Sequence, residues 1–265
     1  MPNSKDLLKK LGFKFGINGV HAARTMMFSD IQKLLRHASS QATRDDYKQL
    51  VVSENLLGKP SSKARELAFR HLVDLYDLDL TNPLFRMLLQ VWHLDESAQP
   101  VLALLVALAR DPLLRKTKTL ILEKQLGESL HREEMEALLE KEFPQRFSEA
   151  SLKSFAQNVN GTWTDAGYLV GRNRKHRSTP VLTPEILTFA LFLGHLEGRS
   201  GTRLFSSTWM SILPGSPDEL ESLVKSASDR GQLVFMNAGG VKEIRFPGAL
   251  SKEEELLRQE VSNVV

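Results

Sequence analysis

The chain has 265 residues, 42% of them hydrophobic and 25% charged, the balance of an ordinary soluble globular protein. It has no cysteine, which excludes disulfides and thiolate metal sites. The formal net charge is only +3, too small as a total to point at nucleic acid, so the placement of charge along the chain has to decide that question.

The first 40 residues hold seven Lys/Arg against Asp6 and Asp30. Gly12, Gly16 and Gly19 interrupt this start. The pattern predicts a basic N-terminal arm over residues 1–25, extended, with at most one turn of helix and docked through Phe13 and Phe15. Residues 26–147 read as a helical bundle. Phe28, Ile31, Leu34 and Leu35 share one face of a helix over 28–37. Thr43, followed by two acids, caps the next helix. Gly58-Lys59-Pro60 breaks the chain, and Ser61 or Ser62 opens a helix to about Leu78. Asn82-Pro83 opens a helix to Leu94, Ser97 one to Ala109, and Asp111-Pro112 one to about Gln125. A helix over Ser129–Phe143 closes the bundle, whose short loops favour antiparallel neighbours. The longest apolar run, Val101–Ala109, falls short of the roughly 20 residues a membrane span needs. The start lacks the apolar run of a signal peptide, so a cytoplasmic protein with no membrane partner is expected.

Residues 148–200 predict a winged-helix-like unit. A helical pattern ends at Ala166-Gly167, a strand follows over Tyr168–Val170, and the chain returns through Val181-Leu182 before Thr183-Pro184 opens another helix. Between the strands lies a basic tip, Arg172, Arg174, Lys175, His176 and Arg177, and no acidic residue occurs between Asp165 and Glu185. Residues 201–250 predict a second unit with the same order. Ser206–Leu213 reads as helix, Ser216-Pro217 opens a helix to Arg230, and strands at Leu233–Met236 and Val241–Phe246 flank the turn Asn237–Gly240. The shared order fits an internal repeat or the common grammar of such units equally. Residues 251–265 form an acidic tail, expected to be helical. The fold class expected is mainly α: a helical bundle followed by one or two winged-helix-like units with short β-hairpins.

No phosphate-binding glycine loop, dinucleotide fingerprint, nucleophile elbow or zinc-protease motif is present. No catalytic residue, cofactor or metal ligand is therefore assigned, and the protein is not expected to be an enzyme. Cations placed to reach phosphates point instead to double-stranded DNA. The candidates are the tip residues Arg172, Arg174, Lys175, His176 and Arg177; Lys63 and Arg65 behind a helix start; Lys9, Lys10 and Lys14 in the arm; Arg203 before the second hairpin; and Lys242 and Arg245 within it. Asn158, Asn160 and Thr162, on the helix before the first hairpin, are the candidates for reading bases.

Three stretches give the chain a family likeness: Met27–Leu35 (MFSDIQKLL), Glu54–Ser61 (ENLLGKPS), and Ser151–Lys153 through Asp165–Tyr168 with the basic turn and Leu182-x-Pro184-Glu185. In their order and spacing, over residues 25–190, the chain resembles the small helical BrxA proteins of bacterial BREX phage-defence systems. The resemblance implies a mainly helical fold similar to NusB-type bundles, non-enzymatic DNA binding, and action beside other phage-defence components. Two other functions fit the residues: a scaffold docking a larger defence enzyme through its helix faces, and a winged-helix transcriptional regulator.

Overall fold

The computed structural model describes residues 3–264, and local capping chemistry explains where most of its helices begin. Helix α1 (Ser4–Lys10) starts where the Asn3 side chain accepts the Lys5 amide. After α2 (Phe28–His37), α3 (Arg44–Lys48) opens on a reciprocal capping box between Thr43 and Asp46 and runs into one wide, π-type turn over Gln49–Ser53. Ser61 caps α4 (Ser62–Tyr76), and Asn82 with Pro83 opens α5 (Pro83–Trp92). Next come α6 (Gln99–Arg110), α7 (Pro112–Arg115) and α8 (Lys118–Leu122). Strand β1 (Ser129–Leu130) leads to α9 (Arg132–Glu142) and α10 (Glu149–Asp165), then β2 (Leu169–Val170) and β3 (Lys175–Arg177). The chain continues through α11 (Pro184–Leu196), α12 (Thr202–Phe205) and α13 (Pro217–Asp229), the last on a Ser216–Glu219 capping box. It ends with β4 (Val234–Ala238), β5 (Val241–Arg245) and α14 (Lys252–Val264). The described residues are thus mainly helical, with two small antiparallel sheets. None of their helices is long and apolar enough to cross a membrane.

The chain divides into two compact units, each drawn from separated stretches. One takes residues up to Lys14, Thr81–Leu105 and everything from Val181; the other takes Phe15–Leu80 and Val106–Pro180. The units interleave, whereas the sequence pattern suggested consecutive segments. The first unit forms around α11, whose side chains from Pro184 to Gly194 are all buried, with α5 and α13 packed on it. An apolar helix of this kind is stable only with neighbours on every side. The expected extended arm contributes here as a short amphipathic helix instead. Leu7, Leu8 and Leu11 fall on one face of α1, are buried, and bring it against α14. Phe13 is buried too, and its ring lies 5.9 Å from that of Trp209.

The second unit forms around α10, which buries Phe155, Ala156, Val159 and Trp163. The 20–27 stretch is tied to it by a wholly buried chain: Asp111 Oδ2 lies 2.8 Å from His21 Nδ1, and His21 Nε2 lies 2.9 Å from Thr162 Oγ1. The expected helix from Asp111 to Gln125 is broken into α7 and α8. At the break the Thr117 hydroxyl donates to the Leu114 carbonyl and accepts the Trp163 indole N–H. Likewise, 206–213 is not one helix but a bend followed by a single 3-10 turn at Met210–Ile212.

Candidate nucleic-acid interface

The basic stretch 172–177 belongs to a three-stranded antiparallel sheet with order β1-β3-β2. Leu169 pairs with Arg177 and Val170 with His176, while on the other side Ser129 pairs with His176 and Leu130 with Lys175. The return strand is therefore Lys175–Arg177, not Val181-Leu182. β1 also lies where a helix start was expected, so α9 and β1 belong to the same unit as the hairpin. The basic tip shrinks to Gly171–Arg174. Gly171 has a φ of +105°, and a side chain there would strike the Arg174 carbonyl, so glycine is required. The Lys175 ammonium closes the turn by donating to the Gly171 carbonyl at 2.7 Å.

This register sorts the five cations by role. Arg172 and Arg174 are exposed on the turn, with no acidic partner among the described residues. Lys175 and His176 are half-buried, and His176 Nδ1 lies 3.2 Å from the Ser129 hydroxyl. Arg177 is only 8% exposed. It donates to the Tyr168 and Ser178 carbonyls and stacks over the Tyr168 ring, 5.2 Å from its centre. Burial lowers its pKa, opposed by Tyr168, yet arginine stays charged and here braces the hairpin. Arg177 thus cannot serve as an exposed contact, contrary to its place in the expected tip. Glu128 and Glu134 are both bound to Lys124, at 2.9 and 2.8 Å, and neither forms an ion pair with an arginine of the turn.

On α10 the expected base-reading residues point inward. Thr162 is fully buried and accepts the Met26 amide as well as facing His21. Asn160 is buried, and Asn158 donates to the His21 carbonyl. The exposed positions of the same helix are Glu149, Ala150 and Ser151 in the first turn, Lys153, Ser154 and Gln157 further along, and Asp165 at the end. The sequence hint was available: Phe155, Ala156, Val159 and Trp163 fix the buried face, which turns 153, 154 and 157 outward.

The second hairpin has a similar outline and a different surface. Gly239 and Gly240, both with positive φ, form a two-residue turn, and Ala238 pairs with Val241 across it. Lys242 is bound to Glu221 at 2.6 Å and lies over the Phe205 ring; Arg245 is bound to Glu243 at 2.6 Å. Contacts from Lys242, Lys225 and Asn237 hold Glu221 down to a pKa of about 2. Val234, Met236 and Val241 are exposed.

The remaining candidates are scattered. Lys63 is exposed in the first turn of α4, while Arg65 donates to the Val52 carbonyl at 2.8 Å and so fastens that helix to the wide turn before it. Lys9 pairs with Asp6 within α1, Lys10 is exposed, and Lys14 is half-buried. Arg203 is exposed on α12. Of the thirteen, the structure brings together only the 172–177 group and, separately, Lys242 with Arg245 and nearby Arg203. The unit carrying the first hairpin holds 22 Lys/Arg against 18 Asp/Glu, and the unit carrying the second holds 13 against 14. The excess positive charge therefore lies in the unit that carries the first hairpin.

Set against known proteins, the chain matches no protein-family profile and no curated protein sequence.

Proposed function

We propose that this protein is a non-enzymatic binder of duplex DNA, and that Arg172 and Arg174 on the β2–β3 turn make its main phosphate contact. The observation that carries this is a glycine-dependent turn presenting two arginines with no acidic partner among the described residues. An acid beside them would compete with phosphate; its absence leaves both guanidiniums to bind bidentately. The order β1, α9, α10, β2, turn, β3, with β3 central in the sheet, supports reading this region as a winged helix. Lys153, Ser154 and Gln157 are then among the exposed side chains of the helix before the wing. The likeness to BrxA proteins supports a place in a BREX-like phage-defence system, acting beside its other components in the cytoplasm. It also supports relating the helical part to NusB-type bundles.

The test is a mobility-shift titration on two unrelated duplexes at low and high salt. Comparable affinity for both, falling steeply with salt, is expected; absent or salt-insensitive binding would remove the proposal. The second hairpin favours another role for its own unit. Its cations are neutralised and Val234, Met236 and Val241 face outward, which suits docking to a protein partner better than to phosphate. Co-purification with neighbouring defence components, lost on Met236→Lys, would bear this out.

A further inference from the structure

The second unit contains a cleft of about 490 Å³ lined by Arg24, Phe28, Asp30, Lys59, Pro60 and Asp165, among others. Its charges divide into a closed pair and two open groups. The Lys59 ammonium lies 2.9 Å from both carboxylate oxygens of Asp30, so this pair is mutually satisfied. Among the described residues Arg24 donates only to the neighbouring Ala23 carbonyl, which leaves most of its N–H groups open. Asp165 makes no hydrogen bond or ion pair with any described residue. Its carboxyl is held above the usual range by desolvation, and Lys175 pulls it back.

The backbone leading from Arg24 into the cleft is tied down. Met26 is fixed at both ends, its amide donating to Thr162 Oγ1 at 2.9 Å and its carbonyl accepting the Tyr76 hydroxyl at 2.6 Å. Met27, which also lines the cleft, adopts a φ of +53°, a left-handed conformation that a residue with a β-carbon disfavours. Such strain persists only where the surroundings enforce it, and it recurs at ligand sites.

A phosphate alone would meet a lining with as many carboxylates as cations, and an apolar molecule would leave Arg24 and Asp165 without partners. A nucleotide satisfies both. Phe28, Met27 and Pro60 offer a surface for the base, Asp165 can accept from an exocyclic amine, and Arg24 can fork onto the phosphate. The volume lies within the range of small-molecule sites. Asp165 is the last residue of α10, which packs against β2, the strand leading into the basic turn, so the cleft neighbours that turn. We propose that this cleft binds one nucleotide with an amine-bearing base, supplied by an unstacked or terminal position of the DNA strand held on the turn. The source of the nucleotide rests on the reading of that turn as the DNA contact; the chemistry of the cleft does not.

The two are separated by titrating the four deoxynucleoside monophosphates against the full chain while following the Met27 methyl resonance. Saturable shifts are expected with the guanine, adenine and cytosine nucleotides and weaker binding with the thymine nucleotide, which lacks the amine. Arg24→Ala should weaken all four about tenfold. Asp165→Ala should erase the preference against thymine. Both side chains are solvent-facing, so the variants should fold, and thermal unfolding checks this. Arg172→Ala with Arg174→Ala should leave mononucleotide binding intact while duplex binding falls. No saturable shift, equal affinity for thymine, or binding indifferent to both cleft substitutions would overturn the cleft assignment without touching the turn. Free mononucleotides binding with no gain from a single-stranded overhang on a bound duplex would overturn its assignment to a DNA strand.

Discussion

The two hairpins follow one local design and end with opposite surfaces. Each helix closes on a left-handed glycine, Gly167 or Gly231, and the next amide reaches back into the last turn: Tyr168 to Trp163 at 2.9 Å, Gln232 to Ala227 at 3.0 Å. A strand, a glycine-dependent turn and a returning strand follow in both. In the first, β1 adds a third strand, and the two turn arginines pair with no acid among the described residues. In the second, the sheet stays two-stranded, and Glu221 and Glu243 occupy its cations. Local hydrogen bonding sets the shape of such a unit, and the position of a few carboxylates sets what its surface can bind.

The largest effect expected from probing this contrast is on folding. Arg177→Ala removes a buried guanidinium, takes a donor from the Tyr168 and Ser178 carbonyls (the first keeps the Ser178 amide) and unloads the Tyr168 ring, which should cost about 3 kcal/mol in denaturant unfolding. If Arg177 were instead a phosphate contact, the variant would lose DNA affinity at unchanged stability.

A comparable effect distinguishes the unit of the second hairpin by pH. His195 on α11 lies 5.2 Å from the Phe246 ring just beyond β5, and burial, aided by Arg258 and opposed by Glu255, pushes its pKa down to about 4. Between that value and the ordinary 6.5 the unfolded chain takes up the proton and the folded chain does not. Stability should therefore be full above 6.5 and decline as pH falls towards 4, by up to about 3 kcal/mol. Unfolding curves across this window, with His195→Leu as the flattened control, measure it; an unchanged slope in the control would contradict the assignment to His195.

Next comes Gly171→Ala. The new methyl group meets the Arg174 carbonyl in a backbone conformation that disfavours it, so a loss of about 1–3 kcal/mol and weaker DNA binding are expected together. Equal substitution at Gly239, where a side chain would meet open space, should be milder and leave DNA binding unchanged.

The parts of this arrangement that the sequence made legible are those set by near neighbours. Thr43 with Asp46, Ser61, Asn82-Pro83 and Ser216 with Glu219 mark helix starts within four residues, and the structure uses each of them. The Gly239-Gly240 turn was legible for the same reason. β1 and β3 were not, because neither has a strand-like composition. Lys175-His176-Arg177 is a strand only because Ser129-Leu130, far away in sequence, supplies its other edge. The helix at Ser4–Lys10 was not legible either, because the glycines that follow it mask the Leu7, Leu8 and Leu11 face. On α10, three polar residues suggested contact with bases, yet the buried network of His21 claims two of them.

The smallest expected effect is the control on the second hairpin. Lys242→Ala with Arg245→Ala removes cations already bound to Glu221 and Glu243, so DNA affinity should change less than about twofold. A large loss would place the second hairpin in the interface and dissolve the contrast.

The most direct measurement is the salt dependence of duplex binding, compared between the unaltered protein and Arg172→Ala with Arg174→Ala. Removing two phosphate contacts should lower the slope of log affinity against log salt by about 2 and weaken binding at low salt by about a hundredfold. An unchanged slope, with the variant as stable as the parent, would show that the β2–β3 turn is not where this protein meets DNA.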